Sequence, residues 1–386
     1  MRREVVIFSA LYPPHMGGVE VFTQHLARTL SERGNSVVAV TNDTNGLGAG
    51  IEDDRGVKVL RLPCRPLLGG RFPLAKKDAK ARELWHWLES RNVDGVLVNT
   101  RFYPHSLAGM KFARSKGIRP VVLDHGSAYL SFSNPALDSI VRNYERAVTA
   151  RGKRYAPAYY GISKKSAEWL GEFGITAEGV IPNSIDAAAY RAMSSDRDFR
   201  AELGLDDTRL MVAFVGRFIP EKGVASLLEA SKSNELAKFG AVFVMAGDGP
   251  LAPDVEKAQG DTLRWVGRLS APDVSAFLQQ ADLLCLPTRS EGFSTTLLEA
   301  AACGCPAVVT DVGGARELIP DDAHGTILPS MSARDVEAAI ANLAVRREVL
   351  DAQSSACRKL VEETCSWDVT AAAVEGAVAR AAGPLA

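Results

Sequence analysis

Residues Ala281 to Ile319 read ADLLCLPTRSEGFSTTLLEAAACGCPAVVTDVGGARELI, and their pattern decides the fold. The apolar run from Asp282 to Pro287 predicts a buried strand, and the good helix formers from Ser294 to Cys303 predict a helix. A second buried strand is expected from Ala307 to Thr310. This order of strand, turn, helix and strand is typical of a parallel α/β sheet, which binds ligands at the carboxyl ends of its strands.

The turn before this helix carries groups that suit a sugar nucleotide. Glu291 lies in the turn and Glu299 about two turns inside the helix, with Ser294, Thr295 and Thr296 between them. N–H groups at the start of a helix bind phosphate, whereas a carboxylate accepts hydrogen bonds from sugar hydroxyls. Taken alone, the spacing favours an ordinary amphipathic helix with a solvated Glu299 and a capping Glu291.

Length and composition indicate a globular protein of two domains or more. The chain has 386 residues, of which 46% are hydrophobic and 24% are charged, as in soluble globular proteins. Its apolar runs are too short to cross a bilayer. The six cysteines are scattered without metal-binding or disulfide spacing, so we expect reduced thiols in a cytoplasmic protein.

The two halves of the chain differ in charge. Residues 1–182 contain 26 Lys and Arg against 17 Asp and Glu, a net charge of +9. The remainder of the 45 basic and 46 acidic residues is 19 against 29, a net charge of −10. Such an asymmetry points to a surface partner for the basic half. An electrostatic match between two domains of one chain is the alternative.

Predicted strands and helices alternate along both halves. The sequence predicts helices at Val19 to Arg33, Leu74 to Arg91 and Pro135 to Lys153, each flanked by short apolar strands. The pattern starts again at Arg209. We therefore expect two doubly wound, Rossmann-like domains. Their predicted bounds are 1–184 and 185–366, with a last helix in 367–386 that could cross back to the first domain.

Two further loops follow predicted strands. Gly17 and Gly18, in PPHMGGVE, would let the backbone approach a phosphate or sugar closely, although, taken alone, they are explained better by a plain tight turn. Arg217 and Lys222, in VGRFIPEKG, are a basic pair that could hold a diphosphate. Two solvated loop cations are an equally good reading of that pair.

Taken together, these motifs resemble the family 4 glycosyltransferases of GT-B architecture. The matching stretches occur in the family's order over nearly the whole chain: PPHMGGVE, LDHG, YYGISKKSAEWL, VIPNSID, VGRFIPEKG, VMAGDGP, WVGRL, SEGFSTTLLEAAACGCPAVVTDVGG and ARELI. The pair of glutamates with seven residues between them is the most specific feature. One departure is Asn183-Ser184, where the family usually has Asn-Gly.

The resemblance implies a retaining hexosyltransferase that uses a nucleotide diphosphate sugar. Its two Rossmann-like domains would face each other across a cleft, with the acceptor on the N-terminal side. Catalytic roles would fall on His125, Arg217, Lys222 and Glu291. The remaining donor contacts would be Gly17, Gly18, Gly216, Gly292, Phe293, Ser294, Thr295, Thr296, Leu297 and Glu299.

The implied chemistry needs no metal ion. Breaking the glycosidic bond leaves negative charge on the diphosphate, which Arg217, Lys222 and the helix N–H groups can stabilise. The sequence has no DxD motif at a strand end of the kind that holds a divalent cation. His125 would orient groups, and the departing phosphate would accept the acceptor's proton.

Two other functions remain open: a sugar-nucleotide epimerase on the same scaffold, or a non-catalytic subunit that binds sugar nucleotides. The acceptor would be a glycan or lipid-linked glycan, as in polysaccharide biosynthesis; nucleic acid is not expected. The nucleotide, the sugar, the acceptor and the oligomeric state are not fixed by the sequence.

A basic segment of the first half could dock on the inner face of the cell membrane. Cations and apolar side chains are interspersed there, and Leu74 is expected to pack on the sheet as part of the predicted helix. A solvated face that complements the acidic half is the alternative. The residues concerned are Arg65, Leu67, Leu68, Arg71, Phe72, Lys76, Lys77, Lys80 and Arg82.

Overall fold

The computed structural model describes residues 3–15, 17–130 and 134–382, and the chain forms two compact units. The first unit contains Met1–Asn183 together with Trp367–Ala386, and the second contains Ser184–Ser366. Each is an α/β unit on a largely parallel sheet. The predicted α/β class with two Rossmann-like domains is confirmed.

The first unit begins with alternating strands and helices, interrupted by two additional hairpins. Its helices are α1 (Gly18–Glu32), α2 (Ala79–Glu89), α3 (Pro104–Ser115), α4 (Pro135–Lys153) and α5 (Lys164–Trp169). Its strands are β1 (Glu4–Phe8), β2 (Ser36–Asn42), β3 (Gly50–Asp54), β4 (Val57–Leu62), β5 (Cys64–Leu67), β6 (Phe72–Ala75), β7 (Gly95–Asn99), β8 (Val121–Asp124), β9 (Ala158–Gly161) and β10 (Gly179–Val180).

The main sheet of the first unit has the strand order β10-β9-β8-β7-β1-β2-β4-β3. All its pairs are parallel except β3 with β4. The strands read as continuous apolar runs because helices cover both faces, and Val6, Phe8, Val38 and Val98 are buried in the core. Since β1 lies between β2 and β7, the strand order reverses there, which places a ligand-binding switch point between β1 and β7.

The second unit has a six-stranded, all-parallel sheet with a switch point between its first and fourth strands. Its strands are β11 (Leu210–Val215), β12 (Ala241–Ala246), β13 (Leu263–Gly267), β14 (Leu283–Leu286), β15 (Ala307–Thr310) and β16 (Thr326–Leu328), in the order β13-β12-β11-β14-β15-β16. Its helices are α6 (Ala187–Ala192), α7 (Phe199–Leu203), α8 (Val224–Ala230), α9 (Asn234–Lys238), α10 (Ala252–Lys257), α11 (Ala271–Gln280), α12 (Thr295–Cys303), α13 (Ala315–Leu318), α14 (Ala333–Ala344) and α15 (Arg347–Thr364).

The last helix, α16 (Trp367–Ala381), belongs to the first unit. Its apolar face is buried, with Val374 and Val378 in the core. Arg33, just after α1, forms an ion pair with Glu375 at 2.9 Å. Trp367 stacks on His25 with ring centroids 5.0 Å apart. None of the helices in the described ranges combines the length and the apolar character needed to span a membrane.

The helix predicted from Leu74 was placed five residues too early. Residues Phe72–Ala75 instead pair antiparallel with Cys64–Leu67, and the helix begins at Ala79. The Asp78 side chain caps it by accepting a hydrogen bond from Ala81 N at 2.9 Å. Leu74 therefore lies on a strand and is 36% exposed, so the prediction that it packs on the sheet was wrong.

Candidate functional site

The predicted donor residues of the second unit follow the two strands that flank its switch point. Arg217 and Lys222 come after β11, while Glu291 to Leu297 come after β14. Because β11 and β14 are parallel neighbours, both loops leave the same edge of the sheet. Loops at this edge of an open α/β sheet are where ligands bind.

Hydrogen bonds fix the two loops to each other. Arg289 N and the Thr288 hydroxyl both donate to the Glu221 carbonyl oxygen, at 2.8 and 3.0 Å. Gly313 supports the second loop from below with φ at +53°, and a Cβ there would lie 2.6 Å from the Glu291 carbonyl oxygen. Only glycine fits this left-handed, closely packed position. The loops therefore form one fixed surface.

Lys222 and Glu291 form an ion pair across these loops. Their side chains are only 19% and 17% exposed. The resemblance implies that Lys222 binds the diphosphate and that Glu291 binds the donor sugar, and the structure brings their two side chains into contact. Removing either partner takes a compensating charge away from a partly buried charged group, which is costly.

The start of α12 lies directly beside this ion pair in the chain. The Ser294 hydroxyl caps the helix by accepting a hydrogen bond from Leu297 N at 3.3 Å. The Leu297 side chain is buried in the core, so this residue offers a ligand neither its side chain nor a free N–H. Thr295 and Thr296 precede it in the first turn, where N–H groups point along the helix axis without an intrahelical acceptor.

Glu299 lies one helical turn further on, half-buried and next to Tyr190 of α6. Burial raises the pKa of Glu299 to about 7, although the Tyr190 hydroxyl beside it favours the charged form. The same surroundings raise the pKa of Tyr190, so this hydroxyl stays protonated. Glu299 consequently changes charge near neutral pH.

A cavity of about 430 Å³ lies at the carboxyl ends of β11, β12 and β13. Its lining includes the exposed cations Arg217 and Arg268, the Asp248 carboxylate and the backbone of Gly216. Trp265 Nε1 donates to the Gly247 carbonyl oxygen at 3.0 Å, which fixes one wall. Arg268 was missed by the sequence reasoning, although it stands in the quoted motif WVGRL.

In the first unit, His125 follows β8 and is held by a buried polar chain. The Asn99 amide donates to the Thr23 hydroxyl at 2.7 Å, so its oxygen faces His125 Nε2 at 3.1 Å and accepts from it. Burial lowers the pKa of His125 to about 3. The ring is therefore neutral at physiological pH, with Nδ1 available as a hydrogen-bond acceptor.

Gly17 and Gly18 start α1 of the first unit: Gly17 occupies the N-cap position and Gly18 is the first helical residue. The next two residues of this helix, Val19 and Glu20, line a cavity of about 260 Å³. Its lining also includes His125, Thr100 and Arg101, and sequence reasoning did not select Glu20, Thr100 or Arg101. Glu20 stood in the quoted motif PPHMGGVE, whereas no motif marked Thr100 or Arg101.

Family models match both halves of the chain. The family described as Glycosyltransferase Family 4 matches residues 16–189. The family described as Glycosyl transferases group 1 matches residues 195–359. The boundary between the two matches falls close to the boundary between the two units.

Two curated relatives illustrate the similarity. An alpha-D-kanosaminyltransferase from Streptomyces kanamyceticus is 31% identical over 323 residues, which cover 74% of this chain and 79% of the relative. A GDP-mannose-dependent alpha-(1-6)-phosphatidylinositol monomannoside mannosyltransferase from Mycobacterium tuberculosis is 23% identical over 385 residues, which cover 95% of this chain and 96% of the relative.

The fold is shared with solved structures. A sucrose-phosphate synthase from Thermosynechococcus elongatus superposes with a TM-score of 0.75 at 19% identity, covering 98% of this chain and 99% of that one. At this level of identity the likeness establishes the GT-B fold alone.

Proposed function

Because the chain is a member of the family 4 glycosyltransferases, we propose that it moves a hexose-type sugar from a nucleotide diphosphate sugar to an acceptor hydroxyl, with retention at the anomeric carbon. One observation carries the proposal: cations, a capped helix start and two carboxylates follow the strands at the switch point of the second unit. The cations and the helix start match the diphosphate of such a donor, and the two carboxylates match its hydroxyl groups.

In the proposed reaction the bond between the anomeric carbon and the diphosphate oxygen breaks, and the acceptor oxygen forms the new bond. Arg217, Lys222 and the first N–H groups of α12 stabilise the charge that develops on the diphosphate. These cations and N–H groups would let the reaction proceed without a metal ion. The acceptor's proton goes to the departing phosphate, because a histidine with a pKa near 3 is a weak base at neutral pH.

The two carboxylates have different partners in this proposal. Glu291 accepts hydrogen bonds from hydroxyls of the donor sugar while it holds Lys222. Glu299 accepts them from the ribose. Backbone of Gly216, Gly292 and Phe293 would line the donor, and His125 would orient a sugar or acceptor hydroxyl through Nδ1. Gly17 and Gly18 would supply donor contacts from the first unit.

We also propose that the protein is cytoplasmic and binds the inner face of the cell membrane through the β5–β6 hairpin. Leu67 and Leu68 at its tip are 44% and 69% exposed, and Leu68 has φ at +50°. A positive φ is uncommon for leucine, and Leu68 adopts it in the hairpin turn, where its side chain is exposed. Phe72 is not available to a membrane, because its ring packs on Tyr103 and Tyr144.

Exposed cations lie along this hairpin, just after it and at the start of α2, which suits anionic lipid. They are Arg65, Arg71, Lys76, Lys77, Lys80 and Arg82. The name of the mycobacterial relative includes phosphatidylinositol monomannoside, which supports a glycan or lipid-linked glycan as the acceptor class here.

A panel of UDP-, GDP- and ADP-sugars, read by thermal shift, tests the donor site. At least one donor should stabilise the parent and stabilise Arg217→Ala less. The exposed Arg334→Ala on α14 is the matched control and should behave as the parent. No stabilisation by any donor would refute the proposal, and an epimer formed from the donor alone would favour an epimerase.

A further inference from the structure

The loop between β1 and α1 is held in place largely by side chains. Residues 9–17 form this loop, which leads into the glycine pair, Gly17 and Gly18. Its two prolines have no N–H to donate, which limits the backbone hydrogen bonds that the loop can form. The four successive carbonyl groups of residues 10–13 nevertheless each accept a hydrogen bond. The donors to the first three are Asn42 Nδ2 to Ala10, Ser9 Oγ to Leu11 and His15 N to Tyr12, at 2.8, 2.8 and 3.1 Å.

Arg61 of β4 supplies the fourth of these hydrogen bonds. Its Nη2 donates to the Pro13 carbonyl oxygen at 2.7 Å, and its Nε donates to Glu52 of β3 at 2.9 Å. The residue is 5% exposed, and its guanidinium carbon lies 5.8 Å from the centre of the Tyr12 ring. Because a guanidinium is costly to remove from water unless its donors are bonded, these partners fix its position. Arg61 therefore ties the loop to the β3–β4 hairpin.

Asp54, on β3 of the same hairpin, holds the chain on both sides of the glycine pair. Its Oδ2 accepts a hydrogen bond from the Tyr12 hydroxyl, in the loop before the pair, at 2.9 Å. It also accepts one from Gln24 Nε2, in α1 after the pair, at 2.9 Å. Its Oδ1 accepts from Arg28 Nε of α1 at 3.1 Å. One carboxylate thus fixes the direction of the loop relative to the helix.

The glycine pair has no side chains that could hold it. Gly17 is the N-cap of α1 and forms no side-chain hydrogen bond there. A Cβ added at Gly18 would meet no atom within 4 Å, so the backbone faces open space at this point. Since glycine restricts the backbone less than any other residue does, the place of the pair is set by the segments on either side of it.

We propose that the β3–β4 hairpin, through Arg61 and Asp54, positions the glycine pair to contact the donor. This inference rests on the proposed function, in which Gly17 and Gly18 supply donor contacts. Arg61 and Asp54 are positioning residues, because they act through the loop and α1. A loop that is already held does not have to be ordered when the donor binds, so less conformational entropy is lost on binding.

Hydrogen exchange and donor affinity, both measured on the full chain, test the proposal. Arg61→Met removes both hydrogen bonds of the guanidinium but keeps a long side chain. Peptides spanning residues 9–20 should exchange faster than in the parent, whereas peptides of the second unit should not change. The probe for affinity is the sugar nucleotide that stabilises the parent most in the thermal-shift panel. Its Kd should rise about tenfold, because the loop must then be ordered on binding.

Further variants separate positioning from folding. Asp54→Ala, at a side chain that is 17% exposed, should have the same two effects and serves if Arg61→Met does not fold. Arg61→Lys keeps a donor for Pro13 and should recover most of the affinity. Glu52→Gln leaves the bond from Arg61 to Pro13 in place and should bind the donor as the parent does. Lys58→Met, at an exposed cation of the same strand, should also bind as the parent does.

A purely structural role would lower the Tm of Arg61→Met without changing its Kd for the donor. The inference is overturned if Arg61→Met and Asp54→Ala bind the donor as tightly as the parent, or if their loop peptides exchange at the parent's rate. It is also overturned if Glu52→Gln weakens binding as much as Arg61→Met does. These outcomes leave the proposed function intact. A parent that no sugar nucleotide stabilises would instead refute the proposed function, and the inference with it.

Discussion

At the scale of single residues, the ion pair between Lys222 and Glu291 gives the sharpest prediction. Lys222→Ala should lower kcat by about one to two orders of magnitude, because it removes a charged hydrogen bond to the leaving group. Glu291→Gln should also lower kcat, since it contacts the sugar whose charge changes. Because the two side chains touch, the losses should not add, with a coupling of about 0.5–3 kcal/mol in a double-mutant cycle.

The exposed pair Lys232 and Glu229 provides the control for that cycle. Its side chains are 68% and 67% exposed with the charges 3.2 Å apart, and pairs of this kind contribute little. Lys232→Ala with Glu229→Gln should leave kcat unchanged. Additive losses at Lys222 and Glu291 would mean that the two residues act independently.

Glu299 gives a second residue-scale prediction, on pH. Its pKa of about 7 means that the carboxylate becomes protonated as the pH falls below neutral and then accepts fewer hydrogen bonds. Affinity for the nucleotide sugar should therefore fall about tenfold between pH 8 and pH 6. Glu299→Gln should bind weakly at both values, with KM affected more than kcat. A parent whose affinity is constant over this range would contradict the ribose role.

The free protein supplies a stability check on the same residue. The folded-state pKa lies above the unfolded value, so the folded state holds this proton more firmly. The contribution of Glu299 to the free energy of unfolding is fully present below the pKa of the unfolded state. It is lost as the pH rises through about 7. Glu299→Gln should consequently melt no lower than the parent at pH 8. A much lower Tm would indicate structural damage in place of a lost contact.

Some residues could be selected from the sequence and others could not. Arg217, Lys222, Glu291 and Glu299 were selected through the resemblance to the family, because their spacing alone fits solvated loop cations and an ordinary amphipathic helix at least as well. The contact of Lys222 with Glu291 depends on which strands are neighbours, and the sequence does not state the strand order. No sequence pattern could select Thr100, because its left-handed conformation is imposed by the fold.

At the scale of elements, the β5–β6 hairpin predicts salt-dependent binding to phosphatidylglycerol vesicles. Lys76→Ser and Lys77→Ser should each weaken co-sedimentation about fivefold at low salt, since a basic residue near an anionic surface contributes about 1 kcal/mol. Leu68→Ser should weaken it further by removing an apolar contact. High salt should release the protein.

Val345, which is 61% exposed in the second unit, is the matched apolar control. Val345→Ser should sediment with vesicles as the parent does. No sedimentation at low salt, or equal losses for Val345→Ser and Leu68→Ser, would show that the hairpin is not the membrane contact.

The elements themselves were predictable where the periodicity was long. Helix α4 spans Pro135–Lys153 as expected, because an Asn cap, a proline at its start and a long amphipathic run agree. The β5–β6 hairpin was missed, since four-residue strands that pair Pro66 with Pro73 lack the usual strand signals. Leu74 was assigned to the helix that follows, because its spacing happens to match the apolar face of that helix.

At the scale of the whole molecule, alternation of strands and helices was enough to predict two doubly wound sheets. The position of the last helix could not be predicted from the sequence, because its alanine-rich face could cover either sheet. Its place in the first unit depends on particular partners, with Glu375 contacting both Arg33 and Asn35. These contacts join residues far apart in the chain, which no local pattern records.

The most direct test of the proposed reaction is the anomeric configuration of its product. The parent is incubated in excess EDTA with the donor chosen by thermal shift and with an acceptor sugar. The new linkage is read by proton NMR as it forms. The expected result is turnover unaffected by EDTA and a product with the donor's anomeric configuration. An inverted product, or activity lost in EDTA and restored by magnesium or manganese, would contradict it.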